Sequence, residues 1–176
     1  MKKGIKIAVS GMSGCGNTTV SKIVAERLGL QFINFTFRSL AVEKGMSLKE
    51  VLVLAENDDY WDREVDGRQV RLARESNGCV LGSRLAIWML EEADLKVYLT
   101  AKPETRAARI AKREGGDIAT VAALTSTRDR HDSFRYLTLY QIDNNFYEFA
   151  DLIIDTDNLE PNKIAEMIIE AAEKIQ

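Results

Sequence analysis

The sequence lacks the features that mark membrane, secreted and repetitive proteins. No run approaches the roughly 18 apolar residues of a membrane span, and the short run between Gly4 and Gly11 is too brief for a signal peptide core. The only two cysteines, Cys15 and Cys79, lie far apart and match no metal or disulfide framework. Internal repeats, low-complexity tracts and linkers are absent. We therefore expect a reduced, cytoplasmic protein that does not bind membranes.

The length allows one domain of ordinary size. A chain of 176 residues can form one compact domain and is short for two. With 45% hydrophobic and 29% charged residues, the composition is that of a globular domain, which excludes disordered, collagen-like and coiled-coil classes. We expect a single domain over residues 1–176.

Charge is distributed unevenly along the chain. Residues 1–135 hold 22 Lys and Arg against 18 Asp and Glu, whereas residues 136–176 hold 2 against 9. Twelve of the thirteen arginines fall between Arg38 and Arg135. Because guanidinium groups suit phosphates, this pattern predicts a small anionic ligand for the middle of the chain. The net charge of −3 argues against polymeric nucleic acid as a partner.

Short β-rich runs alternate with segments of helical periodicity. Such alternation predicts an α/β fold with a doubly wound parallel sheet of five strands in a three-layer α/β/α arrangement. Helical insertions are expected at about 36–76 and 113–135, and Ser47 with Glu50 forms a capping-box pattern. The predicted strands are residues 5–10, 31–34, 79–81, 96–99 and 152–154, and the other predicted helices are 20–28, 85–92, 103–114, 118–140 and one from Pro161.

A glycine-rich loop joins the first predicted strand to the first predicted helix. Its sequence, GMSGCGNT over residues 11–18, has the frame of a P-loop, G-x-x-x-x-G-K-[ST], with Asn17 in the place of the lysine. In such a loop the backbone N–H groups and the positive end of the helix bind phosphate, and the hydroxyl of Thr18 would bind Mg²⁺. The predicted nucleotide-binding residues are Gly11, Ser13, Gly14, Cys15, Gly16, Asn17, Thr18 and Thr19.

The missing lysine leaves the chemistry of this loop open. A strand–helix turn without a ligand is the structural alternative, and the position of the motif between strand and helix argues against it. Asn17 offers an amide donor where a lysine would place a positive charge on the β- and γ-phosphates. Since such a charge can lower a transition state by several kcal/mol, phosphate binding is expected while efficient phosphoryl transfer stays open.

Arginines at defined places are candidates for holding a second phosphate. Arg38 begins the helix after the second predicted strand. Arg84 directly follows the third strand, at the carboxyl edge where open α/β sheets bind ligands. Two further groups share a helix face by their spacing: Arg106, Arg109 and Arg113, and then Arg128, Asp132 and Arg135.

Ordinary structural roles explain some of these charges equally well. For Arg106 and Arg130 we expect solvent-exposed helix surface. Arg128 and Asp132, one turn apart, could form a surface ion pair worth a few tenths of a kcal/mol. His131 is the only histidine, has no partner at metal-ligand spacing, and is expected on the surface.

In this order, the segments resemble the nucleoside monophosphate kinases, and specifically cytidylate kinases of the compact archaeal type. The resemblance covers essentially all 176 residues and is carried by several stretches. LGSRLAIW at residues 81–88 is similar to the family's L-E-[GS]-R-L-A-G-W, and AKREG at 111–115 is similar to its A-K-R-E-G. Arg128, Asp132, Arg135 and Tyr136, followed by Ile142 and Asp143, are similar to its R-x-x-x-[DE]-x-x-R-Y…Y-G-I-D. Ala55-Glu56-Asn57 with Asp62, Asp66 and Arg68 is similar to the helices on the family's monophosphate side.

This resemblance implies direct in-line transfer of a phosphoryl group from ATP·Mg²⁺ to CMP or dCMP by a monomer. The insertion at 36–76 would be the monophosphate-binding region and that at 113–135 the lid. Positioning and electrostatics would provide the catalysis.

The same resemblance implies roles for individual residues. The CMP phosphate would be held by Arg38, Arg84 and Arg135, and the ribose hydroxyls by Asp132 with Arg128 beside it. Arg109 and Arg113 would lie in the lid near the transferring phosphoryl group and act in catalysis together with Asn17. Thr18 would be the protein ligand of Mg²⁺.

The sequence departs from the family's pattern at four places. Asn17 replaces the loop lysine, and Gly82 stands where an acid near Mg²⁺ is usual. Residues 35–37 lack the small and acidic residues that the family has before the arginine matched by Arg38. Thr100 replaces the aspartate of the family's common L-D-A sequence. Three alternatives therefore remain: an active CMP kinase, a nucleotide-binding or regulatory protein without efficient turnover, and a kinase of another small acceptor.

Overall fold

The computed structural model describes residues 4–175, so the outermost residues of the single domain expected over 1–176 lie outside the described range. Within that range there are five strands and eight helices. In chain order they are β1 Lys6–Gly11, α1 Asn17–Leu28, β2 Gln31–Ile33, α2 Phe37–Lys44, α3 Leu48–Ala55, α4 Tyr60–Glu75, β3 Cys79–Gly82, α5 Ala86–Met89, β4 Leu95–Thr100, α6 Pro103–Glu114, α7 Ile118–Tyr140, β5 Leu152–Asp155 and α8 Pro161–Glu173.

The five strands form one parallel sheet in the order β2-β3-β1-β4-β5. The chain first winds outward from β1 through β2 and back to β3, and then crosses to β4 on the other side of β1. The carboxyl ends of β1 and β3 therefore meet where the winding reverses, which is the place where doubly wound sheets bind ligands. The predicted five-stranded parallel α/β fold with helical insertions is confirmed.

Apolar side chains cover both faces of the sheet. On one face Val9 and Val97 pack with Val20 and Val24 of α1 and with Ile168 of α8. A second cluster of buried residues on the sheet includes Ala8, Leu81, Ile87 and Tyr98. Strands buried on both sides are expected in a parallel sheet and explain why β1 and β3 are almost continuously apolar.

The insertion between β2 and β3 folds as three helices, with breaks where glycine and polar residues predicted them. Thr36 caps α2 through Ser39, and Ser47 caps α3 through Glu50, whose carboxylate accepts from the Ser47 N–H at 2.8 Å. The capping box predicted from these two residues is confirmed. The insertion then ends with α4, which packs against β2 and β3 and brings one of its faces to the carboxyl edge of the sheet.

One predicted helix is much shorter in the structure. Residues 85–92 were expected to be helical, and α5 covers only Ala86–Met89. Leu90 leaves the helical conformation and is fully buried. The chain then turns so that the Asp94 carboxylate accepts from the Lys6 N–H at 2.8 Å, which fixes the start of β4 beside β1. Among the described residues, no helix combines the length and apolar character that crossing a bilayer requires.

Candidate active site

The glycine-rich loop lies at the carboxyl end of β1 and leads directly into α1. Its turn is closed by the Cys15 N–H, which donates to the Met12 carbonyl at 3.1 Å. No side chain caps the N-terminus of α1, so the first-turn N–H groups are available to an anion at the positive end of the helix. Thr18 and Thr19, in that first turn, are exposed and line the adjoining cavity.

Gly14 lets the loop lie directly on helix α6. Its φ of 85° is in the left-handed region, and a Cβ there would come within 2.8 Å of the Arg106 carbonyl oxygen. A larger residue would be excluded by both its conformation and this close approach. The structure therefore explains a glycine here by backbone packing, beside any role in binding phosphate.

Two arginines of α6, one buried and one half-buried, contact the loop. Arg106 Nη1 donates to the Ser13 carbonyl at 3.0 Å and Nη2 pairs with Asp129 of α7 at 2.8 Å. Arg109 donates to the Gly14 carbonyl at 3.4 Å and to the Thr156 carbonyl at 2.5 Å. The guanidinium groups thus bond to two consecutive carbonyls of the loop.

The expectation that Arg106 is solvent-exposed was wrong, because only 6% of the residue is accessible. Helical spacing predicted that Arg106 and Arg109 share one face of α6. It gave no information on whether that face lies against the loop. Arg130 and His131 are exposed, as predicted. Arg109 does not line the cavity at the loop, so its contacts support a role in shaping the loop.

Asn17 joins the ends of the two central strands. Its Nδ2 donates to the Val9 carbonyl at 2.9 Å and to the Ser83 carbonyl at 3.2 Å, and its Oδ1 accepts from the Ser21 hydroxyl at 3.0 Å. Both amide protons are therefore used within the protein. The contacts favour a positioning role for this side chain, with the backbone of the same residue at the start of α1 left to face a phosphate.

Gly82 has no room for the acid that the family pattern suggests. A Cβ at this position would come within 2.7 Å of the Ser21 hydroxyl oxygen and 3.1 Å of Asn17 Oδ1. The Gly82 carbonyl is also taken, since Asn34 Nδ2 donates to it at 2.8 Å. An acidic side chain at position 82 would therefore collide with Ser21 and Asn17, so the glycine at 82 and the asparagine at 17 fit each other in the packing.

Cys15, predicted among the loop residues, faces the core. It is buried beneath the loop in the cluster formed with α1 and α8, and burial raises the pKa of its thiol to about 11. A neutral, enclosed thiol is neither a nucleophile nor a phosphate ligand. If this residue takes part in binding, it does so through its backbone.

A cavity of about 580 Å³ opens between the loop, α4 and α7. This volume lies within the roughly 300–1,000 Å³ usual for ligand sites. Its wall contains most of the predicted site residues: Gly11, Ser13, Gly14, Gly16, Asn17, Thr18, Thr19, Arg84, Arg113, Arg128, Asp132 and Arg135.

In the wall of the same cavity, Arg84 and Arg135 share one carboxylate. Arg84 pairs with Asp132 and also donates to the Ser13 hydroxyl of the loop. Arg135 Nη2 donates to the other oxygen of Asp132 at 3.0 Å. Asp132 is only 7% exposed, so it holds the two guanidinium groups in fixed positions while their remaining donors stay available to a ligand.

Buried acids of α4 complete this network. Asp62 lies 3.3 Å from Arg135 Nε, and burial raises its pKa although Arg135 opposes the shift. Asp66 accepts from the Tyr140 hydroxyl at 2.9 Å, and burial raises its pKa to about 6. On Arg128, burial and then the nearby Arg84 lower the pKa. Two cations that disfavour each other are suited to an anion placed between them.

The remaining predicted residues are placed less directly at the site. Arg113 and Arg128 line the cavity on its α6–α7 side, where Arg113 pairs with Glu114 at 2.5 Å. Arg38 is exposed at the start of α2 and does not line the cavity. The structure thus brings Arg84, Asp132 and Arg135 together and leaves Arg38 outside this group.

Two cavity residues, Gln69 and Asp66, were not among the predicted site residues, although Asp66 belongs to one of the stretches that carry the family resemblance. Together with Asp62 and Val65 they recur along α4 at helical spacing and line the cavity. A search for polar residues on the cavity-facing stripe of α4 would have found them. That stripe is recognisable only once the orientation of the helix against the sheet is known.

The described residues contain no group of three or more His, Cys, Asp or Glu that could hold a metal ion by itself. Thr18, the residue predicted to bind Mg²⁺, is exposed at the start of α1 and lines the cavity. Mg²⁺ commonly binds with few protein ligands and several water and phosphate oxygens, which fits such a site.

Comparisons with known proteins agree with this geometry. Residues 6–158 match the cytidylate kinase-like family. The chain is 47% identical over 174 residues to Cytidylate kinase 2 of Borreliella burgdorferi, covering 97% of this chain and 96% of that protein. It is 41% identical over 171 residues to Cytidylate kinase of Archaeoglobus fulgidus, covering 96% and 95%.

Solved structures of small-molecule kinases share the fold. Shikimate kinase from Bacteroides thetaiotaomicron superposes with a TM-score of 0.65 at 18% identity, over 96% of this chain and 98% of that one. Deoxyadenosine kinase from M. mycoides, solved with bound dATP, gives a TM-score of 0.60 at 16% identity, over 97% and 100%. At these identities the likeness extends to the fold alone.

Proposed function

The chain belongs to the cytidylate kinase-like family, and we propose that it transfers the γ-phosphoryl group of ATP to CMP or dCMP. In this reaction an oxygen of the acceptor phosphate forms a bond to the γ-phosphorus while the bond from that phosphorus to the β–γ bridging oxygen breaks. ADP leaves, and the acceptor becomes a nucleoside diphosphate.

The observation that carries this proposal is that Arg84 and Arg135 line the same cavity as the glycine-rich loop, with Arg84 bonded to Ser13 of the loop. Both guanidinium groups are oriented by Asp132, and both line the same cavity as the open N-terminus of α1. A donor phosphate at the helix end and an acceptor phosphate at the arginines would face each other across one cavity. That arrangement suits direct transfer between two phosphates.

On the donor side, the residues that support binding are those of the loop. Backbone N–H groups from Ser13 to Thr19 and the end of α1 would bind the ATP phosphates. Arg106 and Arg109 keep the loop in shape through the Ser13 and Gly14 carbonyls. Asn17 anchors the start of α1 to both central strands.

On the acceptor side, Arg84 and Arg135 would bind the monophosphate and keep it in line with the donor. Arg113 and Arg128 line the cavity from α6 and α7 and would approach the transferring group when that side closes. Arg38, exposed at the start of α2, would reach the acceptor phosphate only if the 36–76 insertion moves inward. Closure of both insertions would exclude water from the reaction.

Mg²⁺ would supply charge neutralisation of the ATP phosphates, with the Thr18 hydroxyl as its protein ligand. Since Gly82 has no space for a side chain, the other ligands would be phosphate oxygens and water. Thr18→Ala is therefore expected to raise the Mg²⁺ concentration needed for half-maximal rate.

We also propose that the protein acts as a monomer in the cytoplasm. Light scattering at working concentration tests the monomeric state. Addition of CMP and ATP is expected to leave the molar mass at one chain. A concentration-dependent mass of two chains would contradict this part of the proposal and leave the chemistry untouched.

The main test is a coupled assay of ADP release with ATP and Mg²⁺ over a panel of acceptors. CMP and dCMP are expected to give the highest kcat/KM, with UMP, AMP and shikimate well below. Arg135→Ala should raise the KM for CMP more than that for ATP, while Arg130→Ala, an exposed arginine of the same helix, should change neither. Calorimetric binding of ATP without turnover of any acceptor would overturn the proposal.

A further inference from the structure

The face of α4 that lines the cavity continues past Asp62, which pairs with Arg135. Val65, Asp66 and Gln69 line the cavity on that side, and Phe35 and Leu52 line it from the neighbouring segments. If the acceptor phosphate is bound by Arg84 and Arg135, the base of the nucleotide extends into this region. The inference below rests on the proposed function and concerns which base is accepted.

Asp66 and Gln69 occupy adjacent turns of α4 and are held by defined contacts. Tyr140 of α7 donates its hydroxyl to Asp66 Oδ2 at 2.9 Å. Gln69 Nε2 donates to Asp66 Oδ1 at 3.4 Å, which fixes the orientation of the amide group. The amide nitrogen therefore faces Asp66, and the amide oxygen is left as the free end of the side chain.

That amide oxygen lacks a partner within the described part of the chain. Gln69 is 5% exposed, and its Oε1 is buried without a hydrogen bond. An unsatisfied buried acceptor destabilises the folded state, and such groups are rare in folded proteins. Because Gln69 lines the cavity, a donor from a ligand bound there would complete its hydrogen bonding.

We propose that Asp66 and Gln69 together recognise the exocyclic 4-amino group of cytosine and thereby select cytidine over uridine monophosphates. The amino group offers two hydrogens, and the two side chains offer a carboxylate and an amide oxygen side by side. One hydrogen would go to Asp66 and the other to Gln69 Oε1.

The same pair disfavours uracil, whose 4-oxo group is an acceptor. Tyr140 and Gln69 Nε2 already donate to Asp66, so neither donor is turned toward the base. A uracil oxygen would face two acceptors with no hydrogen between it and either of them. Sites built to hydrogen-bond a particular group reject an analogue without it far more strongly than apolar pockets do.

The test compares kcat/KM for CMP and UMP in the wild type and in Asp66→Asn. The substitution keeps the shape and replaces one carboxylate oxygen with a donor. We expect the CMP-to-UMP ratio to fall by about 10- to 100-fold, mainly through lower kcat/KM for CMP. Gln69→Met, which keeps the length and removes the acceptor, should lower the ratio in the same direction.

Three controls separate base recognition from structural effects. Asp59→Asn changes an exposed acid beside α4 and should leave the ratio unaltered. Tyr140→Phe removes the donor and keeps the carboxylate, so the preference for CMP should persist. The monophosphate of 2-pyrimidinone riboside has no group at position 4 and should be used equally by the wild type and Asp66→Asn. Thermal unfolding and the KM for ATP report whether each variant is folded.

The outcomes distinguish this inference from the proposed function. A wild type that phosphorylates CMP and UMP equally, or an Asp66→Asn variant that is folded and keeps the wild-type ratio, overturns base recognition and leaves the kinase proposal standing. A wild type that phosphorylates neither overturns the proposed function itself. A Tyr140→Phe effect as large as that of Asp66→Asn shows that Asp66 acts structurally and also overturns the inference.

Discussion

The two sides of the cavity are constructed from different parts of the chain. The proposed donor side is mainly backbone: a glycine-rich loop and a helix end, fixed by Arg106, which donates to the Ser13 carbonyl, and by Asn17, which donates to the Val9 carbonyl. The acceptor side is mainly side chains, with Arg84 and Arg135 oriented by Asp132. A side-chain substitution can therefore remove a ligand contact outright on the acceptor side, whereas on the donor side it acts indirectly through loop geometry.

This difference explains how the loop can lack its lysine. Backbone N–H groups are present whatever side chains the loop carries, and Arg84, which donates to the Ser13 hydroxyl, places a positive charge beside the loop from the acceptor side. The following four predictions test the contrast, beginning with the largest expected effect.

Arg84→Ala should cause the largest loss because this residue belongs to both sides. Its guanidinium contacts Ser13 of the loop and Asp132 of the acceptor network. We expect kcat/KM for CMP to fall about a thousand-fold, comparable with the loss of an arginine that stabilises a transferring phosphoryl group. Steady-state kinetics measures this, and Arg71→Ala on the exposed side of α4 is the matched control. Loss of cooperative unfolding in Arg84→Ala would instead make this residue a structural ion-pair partner.

Asn17→Ala should have an intermediate effect that is confined to the donor side. The Val9 and Ser83 carbonyls would lose a shared donor, which is expected to cost about 1–3 kcal/mol of unfolding free energy. The KM for ATP should rise by about tenfold because the start of α1 is no longer anchored, with little change in the KM for CMP. Chemical denaturation and two-substrate kinetics test both parts, with exposed Asn158→Ala as the control. An equal rise in both KM values would contradict the separation of the two sides.

Lower pH should weaken the preference for CMP by several fold. Burial raises the pKa of Asp66 to about 6, so its carboxylate accepts hydrogen bonds at pH 8 and is largely protonated at pH 5.5. A protonated Asp66 can donate to the 4-oxo group of uracil, and the CMP-to-UMP ratio of kcat/KM should fall as the pH passes through 6. The groups that face Asp66 are Asp62 and Gln69 of α4, Tyr140 and Arg135 of α7, and Arg84 after β3.

The CMP-to-UMP ratio of kcat/KM reports on the base, because the phosphate groups of the two substrates titrate alike and their effects on kcat/KM cancel. Asp66→Asn should give a ratio that does not vary with pH. The stability effect has a definite sign: with the folded pKa above the unfolded value, the contribution of neutral Asp66 is present at low pH and is lost as pH rises through 6. A wild-type ratio that stays constant from pH 8 to 5.5 would show that this carboxyl group does not contact the base.

Cys15→Ala should have the smallest effect, although the residue lies within the loop sequence. Its thiol is buried in the core, and burial raises its pKa to about 11, so it offers no charge to a ligand. We expect kcat/KM to stay within about twofold of the wild type, and the equally buried Cys79→Ala, distant from the loop, serves for comparison. A tenfold loss specific to Cys15→Ala would indicate that the thiol itself shapes the donor site.

Much of the fold follows from local sequence patterns. Strands β1 and β3 are short apolar runs, and α6 and α7 are bounded by Pro103 and by the two glycines between them. Arg84 could be assigned to the site because it directly follows a buried strand of a parallel sheet. These inferences need only spacing and the general geometry of α/β folds.

Other parts of the site depend on contacts between distant segments. Arg106 and Ser13 are separated by 93 residues along the chain, and Tyr140 and Asp66 by 74. Helical periodicity predicted which residues share a face of α6 and gave no information on what that face contacts. The fit of Gly82 against Ser21 and Asn17 likewise involves a strand and a helix whose separation the sequence does not specify.

A pair of glycines forms the joint between helices α6 and α7. Gly115 and Gly116 have φ values of 84° and 103°, and α7 extends from there for 23 residues. On one side of this joint, α6 is bonded to the donor loop through Arg106 and Arg109. On the other, α7 carries Arg128, Asp132 and Arg135. At 1.5 Å per residue, Arg135 lies about 27 Å along α7 from this joint, and the Arg106–Asp129 ion pair ties α7 back to α6 between these two points, so the loop, α6 and the arginines of α7 are held together.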